Sequence, residues 1–123
     1  MNRGDVVTVD FSRYDAADKV PPALVVQNDR DNTRMARTIV ALITSNIGRA
    51  GEDTQYLIDR GHPDFAGSGL HRDSAVNCSN LYTIRQSDIS RVIGKLSRAT
   101  MSAHFFLAAL VAMGREDVAL TDL

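Results

Sequence analysis

From residue 5 to residue 95 the chain reads as short runs of strand character separated by polar or glycine-bearing breaks. None of the breaks holds a helical period long enough to carry a crossover. Parallel strands need such crossovers, so a βαβ architecture is excluded and an antiparallel arrangement is expected. The runs are DVVTVDF at 5–11, PALVVQN at 22–28, RTIVALIT at 37–44 and a weaker TQYLI at 54–58. SAVNCSNLYTIR at 74–85 follows as one or two strands, and RVIGKLS at 91–97 is the last. The second and third runs are apolar at consecutive positions rather than alternate ones, the mark of strands buried on both faces.

A helix closes the chain. Ser97 suits its N-cap, RATMSAHFFLAALVAM at 98–113 its body and Gly114 its C′ residue. From Phe105 to Met113 it is apolar nearly all round, so it is expected to be covered twice, by the sheet and by a second subunit. The expected fold is a single domain, mainly β with a C-terminal α-helix. It is a small, strongly bent antiparallel barrel over about 3–96, the helix over about 98–113 and a short acidic tail.

Charge and cysteine content narrow the function. Fourteen basic residues against fifteen acidic ones leave a net charge of −1, so any nucleic acid must be met by a local patch. Arg85, Arg91, Lys95 and Arg98 against Asp88 form one such local excess, which also suits a solvated sheet edge. The one cysteine, Cys78, excludes an internal disulfide and fits a reducing cytoplasm; in AVNCSN it reads as a small buried residue. The first residues lack the apolar segment of a signal peptide. The longest apolar run, nine residues at 105–113, falls short of the roughly 20 that cross a bilayer, so no membrane association is expected.

Four places carry chemistry. QNDRDNTRMA at 27–36 reads as a turn dense in amides and carboxylates, a composition that suits either ligand contact or ordinary turn bonding. His62 and Asp64 with His71 and Asp73 give HPD and HRD in one long loop, but their spacing matches no metal site, and neither metal nor cofactor is expected. His71 alone has the side chain for proton transfer near neutrality, an imidazole titrating ordinarily at about 6.5. ITSN at 43–46 sets two hydroxyls and an amide where a buried strand stops, a placement suited to phosphoryl oxygens.

In sequence order these pieces resemble the MazF/PemK family of toxin endoribonucleases. The matching blocks are RGDVVTVDF at 3–11, PALVVQNDRDN at 22–32, TIVALITSNI at 38–47, GLHRDSAVN at 69–77, LYTIRQSDI at 81–89 and VIGKLS at 92–97. The resemblance implies an SH3-like β-barrel with a C-terminal helix, assembled as a homodimer. It implies metal-independent, sequence-selective cleavage of single-stranded RNA by attack of the 2′-hydroxyl on the adjacent phosphorus. A cognate antitoxin with a flexible acidic segment is the implied partner.

The same resemblance exposes a departure. The family places its principal catalytic arginine directly before the proline of PALVV, and here that position is Pro21. The family's threonine carries over to Thr44, with Ser45 beside it; both are expected to be catalytic. Lys19 is the leading substitute cation, with Arg13 and Arg72 behind it, and Arg13 and Arg72 are also expected to contact substrate with Asn46. Asn80 and Tyr82 stand where many members have a glutamine and an arginine; Tyr82 is expected to stack on a base. Two other readings stay open: a barrel that has lost most of its chemistry and acts as a binding module, and a CcdB-type toxin that binds gyrase.

Overall fold

The computed structural model describes residues 1–12 and 21–114, apart from the side chains of His104 and Leu107. Six strands appear in chain order: β1 (Asp5–Val9), β2 (Pro22–Val25), β3 (Arg37–Thr44), β4 (Gln55–Ile58), β5 (Ser74–Arg85) and β6 (Ile89–Lys95). They form one antiparallel sheet in the order β4-β5-β3-β2-β1-β6. The sheet is barrel-like but open, because β4 and β6 remain its two edges.

Burial explains the consecutive apolar runs. On one side Val6, Leu24, Ala41, Ile43, Ile58 and Val76 pack with Met101, Phe105 and Ala108 of the closing helix. On the other side Val7, Val9, Ala23, Val25, Val40 and Ile84 pack with Phe11. The three central strands therefore have two dry faces, which a polar/apolar alternation would not permit. Irregular pairing lets six strands curl around these clusters. Opposite Ala41 and Leu42 of β3, β5 carries three extra residues, Cys78 to Asn80. β6 slips against β1 between Val6 and Val7, and again between Thr8 and Val9. Bulges of this kind bend a strand and increase its twist. SAVNCSNLYTIR is accordingly one bent strand, not two short ones.

The polar stretch after β2 is a helix rather than a turn. α1 spans Asp29–Arg34, and Asn28 caps it by accepting the Asp31 N–H at 2.9 Å. Its other amides face inward. The buried Thr38 hydroxyl donates to Asn32 Oδ1 at 2.6 Å, Asn32 Nδ2 donates to the Gln27 carbonyl, and Gln86 Nε2 reaches the Asn32 and Met35 carbonyls. The density of amides in this stretch serves to pin α1 to β3 and β5.

The long loop contains one helical turn, α2 (Phe65–Ser68). The closing helix runs through a π-helical stretch, Thr100–Phe105, which nothing in the sequence signals, into α3 (Phe106–Ala112). Ser97 caps its start, accepting the Thr100 N–H at 3.2 Å, and Gly114 with φ of 96° ends it. The acidic tail lies outside the described residues. No described helix is long and apolar enough to cross a membrane.

Candidate functional site

A cleft of about 790 Å³ opens on the face of the sheet that carries Val6 and Leu24. Its walls come from five places in the chain. Thr8 of β1 and the Pro21–Pro22 pair form one side, and Ile43, Thr44 and Ser45 at the end of β3 form the floor. Opposite them the segment entering β5 contributes Leu70, His71 and Arg72, and β6 contributes Arg91 and Ile93.

Glycines bring these last two walls together. Gly69, at φ of 75°, and Gly94 have no room for a β-carbon, because the 67–69 backbone lies directly on Ile93 and Gly94. Ser74 then fixes the exit, its hydroxyl donating to the Arg72 carbonyl at 2.7 Å. Arg60 reaches the same segment from the other side, its Nη2 donating to the His71 carbonyl at 3.5 Å.

The electrostatics are one-sided. Two arginines line the cleft and no carboxylate does, among the described residues. Neither Arg72 nor Arg91 has an ion-pair partner among those residues, so both keep their charge for an anion. Thr44 Oγ1 already accepts the Asn46 N–H at 3.0 Å, which leaves its own proton to donate into the cleft. The side chain of His71 is exposed there and makes no hydrogen bond within the described residues. Cations and hydroxyl donors beside the apolar side chains of Ile43, Leu70 and Ile93 have the chemistry that suits a phosphodiester with a base or ribose beside it.

Four of the residues singled out in the sequence meet here: Thr44, Ser45, His71 and Arg72. Pro21, the position of the family's arginine, also lines the cleft. Asn46 lies just outside it, its side chain accepting the Gly48 N–H in its own loop. Asn80 and Tyr82 do not line it. Asn80 belongs to the β5 bulge, and the Tyr82 ring packs 5.2 Å from Phe11 against the opposite cluster. Lys19 and Arg13 lie outside the described residues. Arg91 was visible only as part of a basic stretch; no local signal says which strand it faces.

The HPD and HRD segments are structural apart from His71 and Arg72. His62 Nδ1 accepts the Asp64 N–H at 2.9 Å while its Nε2 meets the Tyr56 hydroxyl at 2.7 Å. Asp64 accepts the Ser97 N–H at the start of the closing helix, and Asp73 accepts the Arg60 N–H. No cluster of three metal-ligating side chains occurs among the described residues.

Residues 2–104 match the family described as PemK-like, MazF-like toxin of type II toxin–antitoxin system. Over 103 residues the chain is 32% identical to endoribonuclease EndoA of Bacillus subtilis, covering 82% of this chain and 84% of that protein. It is 30% identical over 109 residues to endoribonuclease MazF9 of Mycobacterium tuberculosis, covering 83% and 87%. Among solved structures, an endoribonuclease bound to its cognate antitoxin from a mycobacterial species superposes with a TM-score of 0.73 at 22% identity, over 94% of this chain and 96% of that one. The Mycobacterium tuberculosis toxin MazF-mt6 gives 0.65 at 25% identity, over 97% of both chains.

Proposed function

The chain belongs to the PemK-like, MazF-like toxin family of type II toxin–antitoxin systems, and from that premise we propose that it is an endoribonuclease acting on single-stranded mRNA at short sequences. The observation that carries this reading is the cleft in which Thr44 and Ser45 face Arg72 and Arg91 with no carboxylate among the described lining.

The reaction that suits such a cleft is transesterification. The 2′-hydroxyl loses its proton and attacks the neighbouring phosphorus, and the bond to the 5′-oxygen breaks. The products are a 2′,3′-cyclic phosphate and a 5′-hydroxyl that has gained a proton. Charge builds on the non-bridging oxygens of the phosphorane, where the Thr44 and Ser45 hydroxyls and the arginines donate. His71 is the described imidazole in the cleft, a side chain whose ring nitrogens can accept or donate a proton in the reaction. One imidazole and no carboxylate among the described lining residues make a poor donor set for a divalent ion, which favours chemistry without a metal.

An acidic, flexible segment of a cognate antitoxin would compete for the same two arginines. The chain also forms a homodimer in this reading. A second cleft of about 400 Å³ runs along α3, and beside it Leu81, Phe106 and Met113 leave 38%, 39% and 67% of their surfaces exposed. Its substrate places the protein in the cytoplasm, in keeping with a free, buried Cys78.

A second reading has one observation in its favour: Pro21 carries no charge where the family has its arginine. On that reading the barrel binds RNA or antitoxin and cleaves weakly. EndoA and MazF9 are both named endoribonucleases, which favours the nuclease reading over a gyrase-binding one. Incubating the purified protein with a long single-stranded RNA in EDTA separates the readings. Discrete fragments with 5′-hydroxyl ends, absent with Thr44→Ala, are the expected result; intact RNA at high protein concentration overturns it.

A further inference from the structure

We propose that Arg91 supplies the guanidinium that Pro21 cannot, so that the cation on the scissile phosphate comes from β6 instead of from the loop before β2. This rests on the endoribonuclease reading and says which side chain makes it work.

Strand register relates Arg91 to Pro22, the neighbour of Pro21. Arg91 pairs directly with Thr8, and Thr8 pairs directly with Pro22. Directly paired residues point to the same side of a sheet, so Arg91, Thr8 and Pro22 form one row across three strands. Two strand spacings amount to roughly 10 Å. An extended arginine covers most of that distance, and all three residues line the cleft together with Pro21.

Two irregularities bracket this row. Ile93 is skipped between the Val6–Gly94 and Val7–Val92 pairs, and Ser90 is skipped between the Thr8–Arg91 and Val9–Ile89 pairs. Paired bulges re-aim the short segment between them, and here they set both Arg91 and Ile93 on the cleft wall. The 67–69 backbone pressed against Gly94 and Ile93 holds that segment in place.

Arg72 does not fill the vacancy. It belongs to the RDS block, which the resemblance places alongside the usual arginine, so it is expected whether or not position 21 is charged. Arg91 is the additional cation. A guanidinium is also the right group for the task, because its planar fork can bond two phosphoryl oxygens at once.

The test is a set of single-turnover cleavage assays on the full-length chain, with circular dichroism to verify folding. Arg91 is exposed, so truncation should leave the fold intact. We expect Arg91→Ala to lower the rate at saturating RNA by roughly 100- to 1,000-fold. Arg91→Lys should recover only part of this, and lowering the salt should not restore it. The decisive comparison is Pro21→Arg in two backgrounds. It should raise cleavage at least about tenfold more in Arg91→Ala than in wild type, because the two arginines serve one oxygen. Equal factors in both backgrounds overturn the proposal, as does an Arg91→Ala defect confined to KM and rescued at low salt. Wild-type cleavage by Arg91→Ala with a loss in Lys19→Ala returns the role to the loop. If the wild-type protein leaves RNA intact in EDTA, this proposal and the endoribonuclease reading fall together. Cleavage by wild type and Arg91→Ala alike sinks this proposal alone.

Discussion

Gly94 of β6 lies so close beneath Ser68 that a β-carbon at position 94 would overlap the Ser68 carbonyl group. The contact involves backbone on both sides, so no side chain can swing away to make room. Gly94→Ala must push the 67–72 segment off β6. Overpacking of this kind costs about 1–3 kcal/mol, read as a lower midpoint in urea. Cleavage should fall as well, since the displaced segment carries His71 and Arg72. Gly51→Ala, where no heavy atom lies within 4 Å of the added carbon, is the control and should change stability by less than about 0.5 kcal/mol.

That contact also marks what a sequence can reveal and what it cannot. Buried strands were legible because VV and TIVALI have no polar face to offer, and the helix cap was legible because Ser97 precedes an apolar period. Both signals are local. α1 has no apolar period at all; it exists because Asn28 caps it and Asn32 and Gln86 tie it to neighbouring strands, contacts that span up to 54 residues. The cleft is less local still. Thr44 and Ser45 could be placed by the strand end they occupy. Arg91 became a site residue only through a register with Thr8 that two bulges set, and Tyr82 left the site because β5 bends at Cys78 to Asn80. Residue type was a poor guide to role where the backbone departs from regular pairing.

Thr44 and Ser45 differ in their ties to the backbone. The Thr44 oxygen holds the Asn46 N–H, so Thr44→Val removes both the hydroxyl proposed to donate to substrate and a turn contact. Its rate should drop by roughly 100- to 1,000-fold, with about 1 kcal/mol of stability lost for the turn. Ser45→Ala should slow cleavage with stability unchanged. If both hydroxyls serve one phosphoryl oxygen, the double variant loses less than the product of the single losses. Rates and urea midpoints on the three variants check this.

Asp64 connects the long loop to the closing helix. Burial pushes its carboxyl up, but hydrogen bonds from Thr100 and from Ser97, with His62 nearby, outweigh that and hold it below the usual carboxylate value. A carboxylate with a depressed folded value stabilises the fold above its unfolded value of about 3.9, and that contribution fades as pH falls through the lower folded value. Asp64→Asn should therefore cost no more than about 1 kcal/mol between pH 5 and 7, since solvent screens this partly exposed carboxyl, and the difference from wild type should shrink below about pH 4. Thermal unfolding as a function of pH gives the comparison directly. A gap that stays constant down to pH 2 would mean that the side chain acts by shape and not by charge.

Cys78 gives the opposite dependence at the alkaline end. It is buried on β5 among Leu24, Ala41 and Val76, and burial pushes its thiol up to about 12 from an ordinary value near 9. Between those values the unfolded chain releases a proton that the folded chain keeps. The unfolded state is then the one stabilised by rising pH, and folding stability should fall by up to about 1.4 kcal/mol per pH unit above pH 9. The same burial keeps the thiolate, the nucleophilic form, out of reach. In native buffer at pH 8 a thiol reagent should modify Cys78 only as fast as the chain opens, whereas in urea it should react at the rate of a free cysteine. Cys78→Ala costs stability for the lost packing but should remove this part of the alkaline slope. If the variant and wild type lose stability in parallel from pH 9 to 11, other groups govern the alkaline transition. Rapid labelling of the native protein would mean that β5 opens at the bulge where Cys78 begins the extra residues.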